Sequence, residues 1–288
     1  MKTNVSVIIC VKDAEKYIGK CISSLLDQTY KDFEIVIIDD GCCDNTTHII
    51  KKFSDERIRY FRNQKNIGIV KSRNKGLKLS RGEYIFFTDA DCIASKNWIE
   101  HGLKSLEDQK YVGVEGKIDY VSKEYKPTFS DHGCKNEHGG HFMTGNMAYK
   151  RSIVESVGGF DEKYDYHEDR DLALRILKHG EICFNPNMIA CVQQQTLTPK
   201  DFVRRAGYIR NRVYLFKRFR ERKLMIWRIV NPFNLAKTLF PPLILVSLFF
   251  NEFKTSDDFK LLPFTYVYAI LERLQLWKTY ARERVFLI

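Results

Sequence analysis

Short apolar runs alternate with stretches of helical spacing through the first ninety residues of this 288-residue chain. The runs cover residues 5–11, 33–38, 58–61 and 84–87 and are rich in Val, Ile, Phe and Tyr. Such runs predict strands that are covered on both faces, as in a parallel sheet. Strands that alternate with helices predict an α/β fold, in which helices flank a mostly parallel, twisted sheet.

Acidic side chains directly follow two of these predicted strands. Asp39 and Asp40 end the second run, and Asp89 and Asp91 come just after the fourth. The carboxyl ends of parallel strands meet at one edge of the sheet, where open α/β sheets bind ligands. An isolated Asp-x-Asp pair is more often a turn or a helix cap. The position behind a buried strand is what favours a binding site here.

A third acidic pair, Glu168 and Asp169, opens a predicted helix that ends at His179 and Gly180. The helix dipole stabilises a carboxylate at this position by about 0.3–1 kcal/mol. Taken alone, this pair therefore favours helix capping over catalysis.

The formal net charge of +11 is concentrated in one segment. Nine Lys and Arg residues lie between Lys200 and Arg228, interleaved with aromatic residues and opposed only by Asp201 and Glu221. This pattern suits an anionic surface, and a solvated helix face, a phosphate contact and a membrane contact all remain open. No nucleic-acid-binding motif is recognisable, so we expect no nucleic-acid partner.

The cysteines and the apolar segments bear on where the protein works. Eight scattered cysteines without a Cys-x-x-Cys spacing, and no signal peptide before the first strand, predict reduced thiols and a cytoplasmic location. Residues 239–250 are nearly all apolar but fall short of the ~20 residues that span a bilayer. They predict a peripheral contact with the cytosolic membrane face, with homodimer packing as the alternative.

Residues 122–141 are polar and without periodicity, which predicts a long loop. His132, Cys134, His138 and His141 lie in or at the end of it. They could form a structural zinc site, but their spacing fits no standard template. A loop that faces the acceptor is the favoured interpretation.

The order of the motifs is more specific than any one of them. They are Asp39-Asp40-Gly41, Asn66-x-Gly68, Arg73-Asn74-x-Gly76, Asp89-Ala90-Asp91, Gly158-Gly159-Phe160-Asp161 and Glu168-Asp169. Over roughly residues 4–195 the chain resembles the family 2 glycosyltransferases of the GT-A fold. Members of that family are inverting enzymes that use nucleotide-diphosphate sugars.

The resemblance implies a role for each matching residue. Asp40 would contact the nucleobase, Asp89 the ribose, and Asp91 a Mg²⁺ or Mn²⁺ ion on the diphosphate. Asp169, beside Glu168, would be the general base. Lys71 and Arg73 would lie beside the nucleotide, and Gly145 and Asn146 would lie near the transferred sugar. The chemistry needs such groups independently. A hard cation held by oxygen ligands neutralises the leaving diphosphate, and inversion needs a carboxylate on the opposite face of the sugar.

The chain departs from the family pattern at several of these places. Lys12-Asp13 stands where the family usually has Tyr-Asn, so stacking on the base would be lost or replaced by a charge contact. Cys42-Cys43 replaces a common serine and threonine pair. Cys92 and the run Gln193-Gln194-Gln195 stand where many members have another Asp and a His. The last two departures leave the metal site with fewer protein ligands.

We therefore predict a GT-A catalytic domain over residues 1–198 and a helical, partly apolar extension over 199–288. Within the first, residues 1–118 would bind the nucleotide sugar and 119–198 would supply the base and receive a glycan or lipid-linked acceptor. A sugar-nucleotide pyrophosphorylase is one alternative, although the glycine-rich loop expected after its first strand is missing. An inactive domain that carries a membrane- or nucleic-acid-binding tail is another.

Overall fold

The structure is a computed structural model that describes residues 3–121, 135–193, 198–219 and 256–283. These residues form two compact units. The first unit holds the described residues from 3 to 193, and the second holds 198–219 and 256–283.

Within the described residues, the first unit is built on one eight-stranded sheet. Its strands are β1 (Val5–Val11), β2 (Phe33–Asp39), β3 (Ile58–Arg62), β4 (Tyr84–Phe87), β5 (Cys92–Ala94), β6 (Tyr111–Tyr120), β7 (Met147–Lys150) and β8 (Glu181–Val192). Their order across the sheet is β3-β2-β1-β4-β7-β6-β8-β5. Strand β1 pairs in parallel with β2 and β4, and β2 pairs in parallel with β3. The carboxyl ends of these four strands therefore share one edge, as predicted.

The second half of the sheet is mixed rather than parallel. Strand β7 lies antiparallel between β4 and β6, and β5 is antiparallel to β8, while β6 and β8 are parallel. The sequence around 144–149 predicts a segment that leads into a short helix but does not indicate a strand. The structure has a 3₁₀ turn at Thr144–Asn146 and then strand β7 before the helix at Arg151–Ser156. A four-residue strand offers too short a pattern to be identified by its periodicity.

Helices cover both faces of this sheet. The first unit contains α1 (Ile18–Leu26), α2 (Thr46–Lys51), α3 (Ile69–Leu79), α4 (Trp98–Leu106), α5 (Arg151–Ser156) and α6 (Glu168–Ile176). Helix α1 shows why they form, because Ile18, Cys21, Ile22 and Leu25 recur at helical spacing and are all buried.

Two hydrophobic clusters fill the space between the sheet and its helices. Strand β1 contributes Val5, Val7 and Ile9 to one cluster and Ile8 to the other. Because successive side chains of a strand point to opposite faces, β1 is buried on both sides. The continuously apolar sequence of β1 follows from this position, and the α/β fold class is confirmed.

The second unit is helical, with α7 (Pro199–Ala206), α8 (Ile209–Phe219) and α9 (Ser256–Glu283). A capping box opens α7, in which the Thr198 side chain accepts from the Asp201 backbone N–H and the Asp201 carboxylate accepts from the Thr198 backbone N–H. None of the helices in the described ranges is long and apolar enough to cross a bilayer. Residues 239–250, for which the sequence predicts a membrane contact, lie outside the described residues.

Candidate active site at the carboxyl edge of the sheet

One buried arginine joins the acidic groups of separate elements. Arg73, on helix α3, ion-pairs through Nη2 with Asp89 Oδ1 at 3.1 Å and through Nη1 with Glu168 Oε1. Its side chain is 8% exposed. Burial alone would lower the pKa of Arg73, but the Glu168 and Asp89 carboxylates outweigh it and raise that pKa above its ordinary value. The guanidinium is therefore charged and holds the end of β4 and the start of α6 against α3.

The Asp89-x-Asp91 pair directly follows strand β4. The Asp89 side chain is 43% exposed although it is paired with Arg73. Asp91 is more buried, and burial, followed by the charge of Asp89, raises the pKa of Asp91 to about 7. The Cys92 thiol lies 3.7 Å from Asp91 Oδ1. The two acids thus concentrate negative charge at the end of β4, where burial makes ionisation of Asp91 unfavourable.

Gly145 lies beside Asp89. A Cβ at Gly145 would lie 3.1 Å from Asp89 Oδ2, tighter than an ordinary contact. The Thr88 hydroxyl donates to the Gly145 carbonyl at 3.2 Å and fixes the turn in place. A glycine here lets the backbone approach the carboxylate that a donor would contact.

The donor set at the end of β4 fits a divalent cation. Carboxylate oxygens are the ligands that Mg²⁺ and Mn²⁺ prefer, and the raised pKa of Asp91 reflects charge that a cation would relieve. His138 and His141 belong to no group of three potential metal ligands within the described residues. His132 and Cys134 lie outside those residues.

A second acidic cluster lies in the loops after β1 and β2. Asp13, Cys42 and Asp44 have potential ligand atoms within 4.8 Å of one another. Asp13 Oδ1 accepts from the Cys43 N–H at 2.7 Å, and Asp44 Oδ2 accepts from the Glu15 N–H at 3.0 Å. These hydrogen bonds tie the loops after β1 and β2 together, so the cluster has a structural explanation.

Glu168 and Asp169 share the first turn of α6 but differ in their bonding. Glu168 is buried and committed to Arg73. Asp169 is partly buried and accepts from the Arg170 N–H at 2.7 Å. Burial, and next the charge of Glu168, raise the pKa of Asp169 to about 7, although Arg73 opposes the shift. A pKa in this range suits a carboxylate that exchanges a proton near neutral pH.

Asp40 organises the loop that starts α3. Its carboxylate accepts from Asn63 Nδ2 at 2.9 Å and from the backbone N–H groups of Ile67 and Gly68 at 2.8 and 2.9 Å. The residue is almost fully buried. Lys71, in the first turn of α3, is exposed. Contact of either residue with a nucleotide stays a prediction.

The Asn146 side chain is buried and has a structural role. Its Oδ1 accepts from Trp98 Nε1 at 2.7 Å, and its Nδ2 donates to the carbonyls of Lys117 and Met188, each at 2.8 Å. The amide is fully buried and holds α4, β6 and β8 together. A sugar contact in this turn would fall to Gly145 and not to the Asn146 side chain.

Glu115, within β6, is a buried acid that motif reasoning misses. Its carboxylate accepts from the backbone N–H groups of Gly140, His141 and Phe142 and from Asn136 Nδ2 at 2.7 Å. Arg170, next to Asp169, donates to the Gly140 carbonyl at 3.3 Å. Glu115 therefore holds the 136–142 loop close to the start of α6. The signal available in the sequence is an acid within the strand-like segment 112–118.

Two departures from the family pattern have structural roles. Lys12 Nζ ion-pairs with Asp13 at 2.8 Å and donates to the Gly41 carbonyl at 2.8 Å, which links the loops after β1 and β2. Gln193 is buried, its Nε2 donates to the Tyr17 carbonyl at 3.2 Å, and its backbone N–H donates to the Asp91 carbonyl at 2.9 Å. Both replacements support the loops that carry the acids.

We expect Glu115→Gln to loosen the 136–142 loop, because one oxygen becomes an NH₂ group that faces backbone donors. Losing hydrogen bonds to a buried charge costs about 1.5–3 kcal/mol. Urea unfolding should show that loss, and hydrogen exchange at Gly140, His141 and Phe142 should accelerate. The control is Glu181→Gln, on the exposed first residue of β8. Unchanged exchange at the three amides would contradict the role given to Glu115.

Comparison with known proteins agrees with this geometry. The sequence model of the family described as "Glycosyl transferase family 2" matches residues 6–159. An uncharacterised glycosyltransferase of Haemophilus influenzae is 40% identical over 114 residues, which are 39% of this chain. The chain covers only 35% of that relative's length.

Two further proteins resemble most of the chain. The Escherichia coli UDP-Glc:alpha-D-GlcNAc-diphosphoundecaprenol beta-1,3-glucosyltransferase WfaP is 32% identical over 189 residues, which cover 64% of this chain and 74% of WfaP. The mannosyltransferase PcManGT of Pyrobaculum calidifontis, solved with GDP-Man and Mn²⁺, has a TM-score of 0.62 at 15% identity, covering 96% of this chain and 88% of that one. The structural likeness supports the fold, and the family match goes further: the chain belongs to glycosyl transferase family 2.

Proposed function

We propose that this glycosyltransferase is an inverting, metal-dependent enzyme that transfers a sugar from a nucleotide diphosphate to a hydroxyl group of a glycan or lipid-linked acceptor. The observation that carries the proposal is the Arg73 bridge. It connects Asp89, at the proposed donor site, directly with Glu168, next to the proposed base. The Arg73 side chain thus joins the proposed donor site to the residue next to the proposed base.

On the donor side, Asp89 would bind the ribose and Asp91 the cation, while Asp40 and Lys71 would lie along the nucleotide. When bound, Mg²⁺ or Mn²⁺ would neutralise the charge of the departing diphosphate. The Mn²⁺ and GDP-Man present in the PcManGT structure support this assignment. Gly145 leaves room for the sugar next to Asp89.

On the acceptor side, Asp169 would remove the proton from the attacking hydroxyl. Its raised pKa suits this task, because a general base works best when its pKa lies near the working pH. Glu168 and Arg73 would position the start of α6, so that the carboxylate of Asp169 faces the sugar from the side opposite the leaving group.

The name of the WfaP relative supports a lipid-linked acceptor. With such an acceptor the reaction would take place at a membrane surface, and we assign it to the cytosolic face. We assign donor and acceptor chemistry to residues 1–198 and membrane association or homodimer contact to 199–288.

The overall reaction can be tested by its products. The full chain, given a panel of nucleotide sugars, Mn²⁺ and a polyprenyl-diphosphate sugar, should release a nucleoside diphosphate and form a glycosylated lipid. Formation of a nucleotide sugar and pyrophosphate from a nucleoside triphosphate and a sugar 1-phosphate would instead indicate a pyrophosphorylase and would overturn the proposal.

We expect Asp169→Asn to lower kcat by about 10²–10⁴-fold, the usual contribution of a general base. Donor affinity should stay near the wild-type value, because the variant leaves Asp89 and Asp91 intact. Transfer assays and calorimetric titration of the donor measure the two quantities. Glu100→Gln is the matched control, since Glu100 is an exposed acid in the first turn of α4. An Asp169→Asn enzyme with wild-type turnover would exclude Asp169 as the base.

The same assignment predicts a pH dependence. The pKa of Asp169 is about 7, and a base must be ionised to accept a proton. Transfer should therefore increase with pH through about 7 and level off above it. A rate that is flat from pH 5 to 8 in steady-state assays would show that another group accepts the proton.

Asp91 offers a test through stability. Its pKa is raised to about 7, so the folded state binds the proton more tightly than the unfolded state does. Without divalent cations, ionised Asp91 should destabilise the fold increasingly from about pH 4 to 7, by at most about 4 kcal/mol. Asp91→Asn should remove the contribution of Asp91 and leave that of Asp169, whose pKa is also raised to about 7.

Urea unfolding of both proteins in EDTA measures the difference, with the exposed Asp32→Asn as control. Mn²⁺ should then raise the midpoint of thermal unfolding for the wild type and not for Asp91→Asn. Equal stabilisation of both proteins by Mn²⁺ would place the cation elsewhere.

A further inference from the structure

Helix α9 exposes four large apolar side chains along one side. Val267, Leu271, Leu274 and Trp277 are 42%, 37%, 53% and 59% exposed. Their spacing of four, three and three residues places them on neighbouring turns of one helix face. We call these four residues the apolar stripe. Singly exposed apolar residues need no explanation, but a continuous stripe does.

The opposite side of α9 already makes its packing contacts. Leu276 is buried against Ile209 and Val213 of α8. Arg273 and Thr279 on α9 are also buried. The helix therefore has its own hydrophobic contact within the second unit, and the apolar stripe is additional to it.

The charges around the apolar stripe have one sign. Lys278 and Arg282 are exposed and follow the stripe on the same side of the helix. Glu272 and Glu283 are partly buried and lie on the packed side by helical position, and Glu283 accepts from Lys217 of α8 at 2.9 Å. No acidic side chain lies on the exposed face of α9 between 267 and 282 in the part of the helix that the structure describes.

Helices α7 and α8 carry further exposed basic side chains, Lys200, Arg204, Lys217 and Arg218, of which Arg204 pairs with Asp201 and Lys217 with Glu283. A second copy of the chain, docked stripe to stripe with the two helices parallel, would bring Lys278 and Arg282 against the same residues of its partner. That repulsion disfavours a parallel homodimer through this face, whereas an anionic surface is attracted to Lys278 and Arg282.

We propose that the apolar stripe, with Lys278 and Arg282, docks the second unit onto a membrane surface that contains anionic lipids. Leucine and valine would enter the boundary between headgroups and acyl chains, and the Trp277 ring suits that interface because it is apolar with one polar N–H. Lysine and arginine would contact the lipid phosphates. The docking deepens the proposed function and rests on it for its purpose, since a lipid-linked acceptor is reached at the membrane.

Vesicle flotation of the full chain tests the docking without turnover. We expect binding to vesicles of mixed phosphatidylcholine and phosphatidylglycerol, and weaker binding to phosphatidylcholine alone. The double variant Leu274→Glu with Trp277→Glu should lower the partition coefficient by at least about tenfold, because it removes apolar contact and adds negative charge. Val121→Glu is the matched control, since Val121 is 54% exposed and lies in the first unit.

A second variant separates the electrostatic part. Lys278→Glu with Arg282→Glu should abolish the preference for anionic vesicles and reduce the salt dependence of binding. Circular dichroism checks that each variant is folded. Wild-type flotation of both double variants would overturn the proposal.

Light scattering without vesicles tests the alternative that a second copy of the chain binds the apolar stripe. If the Leu274 and Trp277 variant converts a dimer into a monomer and still floats like the wild type, the face is a dimer interface and the proposal is wrong. Transfer to a soluble acceptor analogue, assayed without vesicles, tests the proposed function separately from the membrane docking. A chain that floats as expected but transfers no sugar refutes the proposed function and leaves the docking face in place.

Discussion

The ion pairs of Arg73 are the interaction on which the site depends. A buried guanidinium is costly unless carboxylates and hydrogen bonds compensate it, and removing one partner of such a pair typically costs about 3–5 kcal/mol. Here the partners come from two distant parts of the chain, Asp89 after β4 and Glu168 at the start of α6. The arginine therefore fixes the relative position of three elements. Burial, followed by the charge of neighbouring carboxylates, raises the pKa values of Asp91 and Asp169 to about 7.

Other buried polar groups hold the loops around this centre. Asp40 uses two backbone N–H groups to close the turn before α3, Glu115 uses three to fold the 136–142 loop, and Asn146 joins three elements through one amide. A buried polar group without a partner is expensive, so each of these residues defines one conformation of the backbone that it binds. Precise placement of the acids thus depends on side chains that touch no substrate in the proposed mechanism.

The sequence was sufficient to predict the strands that carry the acids, because β1, β2 and β4 are almost continuously apolar and Asp residues stand at or just after the ends of β2 and β4. It was insufficient where a pattern is short or a partner is distant. Strand β7 has four residues, and its antiparallel pairing with β4 depends on the rest of the sheet. The pairing of Arg73 with Glu168 spans 95 positions, and no local spacing reports it. Asn146 matched a motif near the sugar, but its amide is needed inside the fold.

The charge balance of the site explains why proton and cation are linked. Arg73 pairs with Asp89 and Glu168, and the charge of Asp89 acts on both Asp91 and Asp169, so full ionisation of the four carboxylates would leave an excess of negative charge on these five groups. Either a proton or a divalent ion at Asp91 would reduce this excess, and the two would compete because a carboxylate must be ionised to bind a metal. A cation bound next to Asp89 would also screen the like charge that raises the pKa of Asp169. In the proposed mechanism, donor binding and activation of the base would therefore be coupled through Asp89.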